Sequence, residues 1–179
     1  MAETQKIRRR TCDVAFTYRM PAGFPGDVNR THPASIVAEK HSTANPVAFF
    51  GYPVVVDSAT SSVRGLIASD TAVTKIHGVA VRPYPTQSAT NTFGVGAPAA
   101  GGVVDNLRSG FICVQLPTGS AAPAKEGAVF VWIAASAGAN TQGSFVSAAS
   151  GSNTVAITNA RFVGGMDANN VAEIEVFRA

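Results

Sequence analysis

Charge is scarce in this chain. Only 14% of its 179 residues are Asp, Glu, Lys or Arg, against roughly a quarter in ordinary soluble domains. Two cysteines, three histidines and one tryptophan complete the short supplies. Two cysteines cannot by themselves build a structural zinc site, and no histidine stands at ligand spacing from Cys12 or Cys113. Cys113 lies in the apolar run Phe111-Ile-Cys-Val114 and is expected to be a small buried hydrophobe, with a disulfide to Cys12 disfavoured in a reducing cytoplasm. No apolar run approaches the roughly 18 residues of a membrane-spanning helix, and the charged start Met1–Arg10 has no hydrophobic segment behind it. These absences predict a chain made in a cytoplasm, with neither a membrane nor a secretory route.

Catalytic motifs are absent too. There is no Gly-x-Ser-x-Gly elbow, and His32, His41 and His77 form no metal motif, so each is expected to be a hydrogen-bonded structural histidine. Gly94–Gly101 has the glycines of a phosphate loop but lacks its Lys-Ser/Thr ending and its helix. The aspartates mostly neighbour Gly, Ser, Thr or Asn, where they close turns. Asn29-Arg-Thr31 fits a glycosylation acceptor, which has no meaning without secretion. No catalytic residue, cofactor or metal is nominated, and the chain is expected not to be an enzyme.

What is abundant is β-type sequence. Short apolar or alternating runs at Val47–Val56, Val63–Ile67, Thr74–Tyr84, Val103–Leu116, Gly127–Ala135, Gly143–Ala149, Thr154–Phe162 and Val171–Arg178 are separated by Gly, Pro, Asn and Ser. Gly78 reads as a bulge, Arg108-Ser-Gly110 as a break, and Ser88–Gly102 as a long surface loop. Val171, Glu173, Glu175 and Phe177 form the expected wet face of the last strand. Trp132 is expected in the core. No amphipathic helix and no repeat emerge. The fold class is all-β: one small β-barrel or jelly-roll sandwich, residues 36–179, preceded by an extended N-terminal arm, residues 1–35.

The arm carries the charge. Residues 1–30 hold six basic and three acidic residues, whereas the remainder is balanced at eight of each. Arg8–Arg10 without a basic face behind it is a weak nucleic-acid signal and suits protein contact or solvation. Three prolines and two glycines in Tyr18–Pro33 forbid a helix. Yet Phe16, Tyr18, Met20 and Phe24 are costly to leave in water, so the arm wants another surface to lie on. Extended, residues 1–33 reach at most about 110 Å.

Met20-Pro-Ala-Gly-Phe-Pro-Gly-Asp-Val-Asn-Arg-Thr-His-Pro-Ala-Ser35, with Gly51–Asp57, Val79–Gln87, Leu107–Phe111 and Lys125–Trp132, resembles the structural cement, or head-decoration, proteins of tailed bacteriophages. That resemblance implies a β-barrel or jelly-roll body on the outer surface of the virion capsid, stapling neighbouring major capsid protein subunits, with no catalytic site. It implies self-association, a homodimer at a two-fold ahead of a homotrimer at a three-fold, and no nucleic acid or membrane partner. The arm residues Phe16, Tyr18, Met20 and Phe24 would be anchors, with Arg19 and Arg30 pairing capsid carboxylates. Val14–Tyr18 would add a strand to a neighbour's sheet. Two other classes stand beside it: a carbohydrate-binding or host-adhesion module, which needs exposed aromatics in a groove, and a small hydrolase, which needs a His and carboxylate cluster.

Overall fold

The computed structural model describes residues 23–28, 30, 33–83 and 96–178. Among them there is no α-helix, only nine strands and one 3-10 turn. The strands are β1 (Ser35–Lys40), β2 (Pro53–Asp57), β3 (Ser62–Gly65), β4 (Gly78–Ala80), β5 (Val103–Gln115), β6 (Ala128–Trp132), β7 (Phe145–Val146), β8 (Thr154–Phe162) and β9 (Val171–Val176). The all-β class read from the sequence is the fold observed.

β5 organises the molecule. Its first half is flanked on both sides, since Leu107 pairs with Ile36 of β1 and with Val79 of β4. From β4 the sheet continues through β2 to β3. Its second half pairs with β9, Gly110 opposite Val176 and Ile112 opposite Ile174, and the order runs on through β8 and β6 to β7. Every one of these ladders is antiparallel. Between the halves the register skips Arg108, with Ser35 opposite Ser109 and Ile36 opposite Leu107. Gly110, at φ +127°, follows at once. A bulge and a glycine let one strand bend from one sheet into another. The first sheet curls until its ends approach: His41 bridges Val63 of β3, and the Ser42 N–H donates to the Val63 carbonyl at 2.8 Å.

Strand alternation distributes the core. Val54 and Val55, or Val79 and Ala80, point to opposite faces. Val55, Val79, Leu107, Ile112, Val131, Phe145, Phe162 and Ile174 belong to the larger cluster. Val47, Phe50, Tyr52, Val54, Val63, Ala80 and Val104 form a smaller one. Each such side chain, fully buried, contributes about 1.5–3 kcal/mol of transfer free energy.

Several local expectations are corrected. Val47–Val56 is not one strand: β2 begins at Pro53, Gly51 and Tyr52 share hydrogen bonds with Ala80 ahead of it, and Val47 and Phe50 reach the core from a loop and a turn. Gly78 is not a bulge but opens β4, where a Cβ would stand 2.7 Å from the Leu107 carbonyl oxygen. β1 went unread because Ser-Ile-Val-Ala-Glu-Lys shows no alternation. The expected wet face of β9 is covered over its first half, where Val171 and Glu173 are buried, while Glu175 is half-buried and Phe177 is exposed. Trp132 is buried as expected, its indole N–H donating to the Ala135 carbonyl. Val14–Tyr18 and Ser88–Val95 lie outside the described residues.

Candidate functional site

The site is the segment Gly23–Arg30, the described part of the expected arm and here called its root. Phe24–Asp27 is a tight turn: the Asp27 N–H donates to the Phe24 carbonyl and the Phe24 N–H to Asp27 Oδ2, both at 3.0 Å. That turn lays Gly26 and Asp27 beside the second half of β5. The Gly26 N–H donates to the Cys113 carbonyl at 2.8 Å, and the Cys113 N–H to the Asp27 carbonyl at 2.9 Å. On the other side the Arg82 N–H donates to the Gly26 carbonyl at 2.9 Å. The fit needs glycine. Gly26 has φ +91°, and a Cβ there would stand 2.8 Å from Phe50 Cβ. A Cβ on Gly51 would stand 2.8 Å from the Gly26 nitrogen.

Two arginines lock this segment. Buried Arg82 donates from Nε to the Pro25 carbonyl at 3.1 Å. Its guanidinium lies 5.9 Å from the Phe24 ring centre and 5.5 Å from that of Phe50. Arg30 forms a two-pronged ion pair with Glu173 of β9, Nε to Oε1 at 2.7 Å and Nη2 to Oε2 at 2.5 Å. It also sits 4.5 Å above the Phe111 ring. The hydrogen bond to Glu173 holds the Arg30 guanidinium above its ordinary pKa. The Glu173 side chain is 6% exposed and that of Arg30 45%, so a carboxylate closed off from water depends on a cation that still reaches it. Beside them Arg161 pairs with Glu175 and Glu126 and stacks on Phe177.

Of the expected contact residues, Phe16, Tyr18, Arg19 and Met20 lie outside the described residues. Phe24 and Arg30 flank the root. Phe24 is 50% exposed. A depression of about 190 Å³, lined by Pro25, Phe49, Phe50, Tyr52, Arg82, Gly96 and Gln115, opens in the same region. Arg30 faces its own chain's Glu173. Sequence reading missed Glu173, Arg82 and Phe111. The one available signal was that Glu173 is an acid in an alternating strand, and that pattern does not distinguish water from an arginine above it.

His41 and His77 are both hydrogen-bonded within the fold, and His32 lies outside the described residues. Buried His41 donates from Nδ1 to the Ala99 carbonyl at 3.0 Å and accepts the Val47 N–H at Nε2, 2.8 Å away. His77 binds Glu39, which also accepts from Asn106. Burial works to raise the Glu39 carboxyl, but these hydrogen bonds outweigh it and hold the group below its usual range. Among the described residues no group of His, Cys, Asp or Glu could hold a metal ion.

The family model of the XM1 gp53 minor capsid protein matches residues 14–176. The chain belongs to the XM1 gp53 minor capsid protein family. It is therefore a structural protein of a phage capsid, and the match takes in arm residues from Val14 onward as well as the β body. The fold is similar to a chain in a solved structure titled "The capsid of Myoviridae Phage XM1", with a TM-score of 0.63 and 19% identity over 92% of this chain and 96% of that one. No curated protein matches. The resemblance drawn from the Pro/Gly arm and strand motifs thus holds as a phage capsid-associated protein.

Proposed function

We propose that this minor capsid protein is a non-enzymatic cement: it binds the outer surface of the capsid and joins neighbouring major capsid protein subunits against the pressure of packaged DNA. The observation that carries this is the clamp at the arm root. Backbone pairing of Gly26 and Asp27 with Cys113, and the Arg30–Glu173 pair, tie the chain to β5 and β9 just downstream of Phe16, Tyr18, Arg19 and Met20. An arm can transmit force only if its base is anchored. Twenty-two residues precede Gly23, a contour of about 75 Å at full extension, enough to cross a subunit boundary. Many modest contacts on one lattice then act together by avidity. The neutral body suits dense packing among like copies.

The test is occupancy. Purified protein lacking residues 1–22 is added to capsids stripped of the native protein and compared with the full chain by cryo-electron microscopy. Loss of density with the truncated protein, while its melting temperature matches the full chain's, supports the reading. Undiminished occupancy refutes the arm as the grip. Particles without the protein that withstand heat as well as complete ones refute cementing itself.

A further inference from the structure

We infer that the cleft between the loop at residues 44–48, the end of β3 and the loop at residues 136–143 binds a neutral saccharide. The cleft holds about 310 Å³, the small end of the roughly 300–1,000 Å³ range of ligand sites. That volume suits a ligand the size of a sugar ring better than a folded partner. It opens where loops of the two sheets meet, since β3 belongs to the first and the loop at 136–143 joins β6 to β7 of the second. Its walls are held in place before any ligand arrives. Val47 and Tyr52 belong to the smaller core cluster and Leu66 to the larger. The Gly65 N–H donates to the Asn45 carbonyl at 3.0 Å, and the Gly143 N–H to the Trp132 carbonyl at 2.7 Å. The backbones of Ala137 and Asn140 bond to each other in both directions.

The chemistry of the walls selects the ligand. Among the described residues no Asp, Glu, Lys, Arg or His lines the cleft, so nothing there offsets the desolvation of a phosphate, a carboxylate, an ammonium group or a metal ion. The polar groups that do line it are neutral and keep bonding capacity. The Asn45 carboxamide has no partner among the described residues. Gln142 spends its Nε2 on the Ile133 carbonyl at 2.8 Å, leaving Oε1 to accept. Ser136 Oγ accepts the Gln142 N–H at 3.0 Å and keeps its own proton to donate. The Tyr52 and Thr141 side chains bond to each other, and burial pushes the Tyr52 hydroxyl above its ordinary pKa, so it stays uncharged. Neutral donors and acceptors side by side match a ligand whose hydroxyls each donate and accept. Pro46, Pro53 and Ile67 add an apolar wall, on which the C–H face of a pyranose packs. That wall is prolyl and aliphatic, unlike the groove of exposed aromatics expected of an adhesion module. A few neutral hydrogen bonds and a small apolar contact set a dissociation constant of about 1 mM.

Saccharide binding goes beyond the capsid role, and free protein suffices to test it, so either can fail without the other. Isotope-labelled full-length protein is titrated by heteronuclear NMR with glucose, galactose, rhamnose and N-acetylglucosamine, each to about 50 mM, well above the expected constant. At least one sugar should shift the amides of Asn45, Val47, Leu66 and Gln142 saturably. Glucuronate, which adds a carboxylate to the glucose ring, should bind no tighter than glucose. Asn45→Ala keeps the backbone bonds of the loop and should raise the dissociation constant about three- to tenfold. Ala48→Trp, at an exposed position of the wall, should fill the cleft and abolish the shifts. Ala149→Trp, exposed but not part of the wall, should change nothing. Melting temperatures matching the parent protein's verify that each variant folds. No saturable shift with any of the four sugars, shifts that saturate outside the cleft, tighter binding of glucuronate, or an affinity indifferent to both Asn45→Ala and Ala48→Trp overturns the inference.

Discussion

Replacing Arg30 by alanine asks whether the arm root is truly part of the folded body. The substitution leaves Glu173 with its side chain 6% exposed and its two-pronged partner gone. Breaking a fully buried pair costs about 3–5 kcal/mol, because the remaining charge is stranded. An exposed pair is worth about 0–1 kcal/mol. Here one member is buried and the other half-exposed, which places the cost near 2 kcal/mol, with loss of the stacking on Phe111 contributing about 0.5 kcal/mol of it. For a chain of this size each kcal/mol moves the melting temperature by about 2–4 °C, so thermal unfolding of Arg30→Ala should fall by about 4–8 °C. The reverse change, Glu173→Gln, strands no buried charge: Arg30 keeps its access to water and the amide oxygen still accepts one bond. It should cost less than half as much, and adding it to Arg30→Ala should recover part of the loss. Equal losses for the two single variants, or a loss below about 1 °C for Arg30→Ala, would refute the reasoning.

Gly51→Ala forces a Cβ within 2.8 Å of the Gly26 nitrogen at φ +79° and should destabilise by at least about 2 kcal/mol, read by urea unfolding. His41→Ala strands the buried Val47 N–H, while the Ala99 carbonyl keeps the Gly102 N–H, for a loss of about 1–3 kcal/mol, with amide exchange accelerating first around Val47. Asp70 is buried, which alone would raise its carboxyl, yet the Arg64 guanidinium at 2.7 and 2.8 Å and the Ile67 N–H hold it below its usual range. A lowered folded-state value means that its stabilisation is complete above the ordinary carboxylate value, ~3.9, and is lost as pH falls below it. Asp70→Asn should therefore flatten the acid limb of the stability curve, and an unchanged limb would contradict this.

The fold class was legible because period-2 alternation and turn residues are local signals. β8, Thr154–Phe162, was read to the residue, and the break at Arg108-Ser-Gly110 marked the true bend in β5. Failures occurred where tertiary contacts overrode local pattern. Val47–Tyr52 has strand composition but is packed as turns, because Gly51 must sit against Gly26. β1 has weak composition but is ordered by a ladder to residues 63 or more positions away. In the site, Phe24 was readable as a large apolar side chain and Arg30 as a cation. The partners Glu173 and Arg82 were not, since nothing local records which distant side chain will cover them.

The clamp also makes the protein's competence depend on the order of synthesis. Arg30 leaves the ribosome 143 residues before Glu173, and Gly26 precedes its partner Cys113 by most of a sheet. At 5–20 residues per second, Arg30 waits about 7–30 s for a partner. A chain that stops short of β9 lacks Glu173 and cannot form this ion pair. If the proposed cementing role holds, only a finished polypeptide would carry a grip with a fixed base, and incomplete copies that reached a shell would occupy places on it without tightening it.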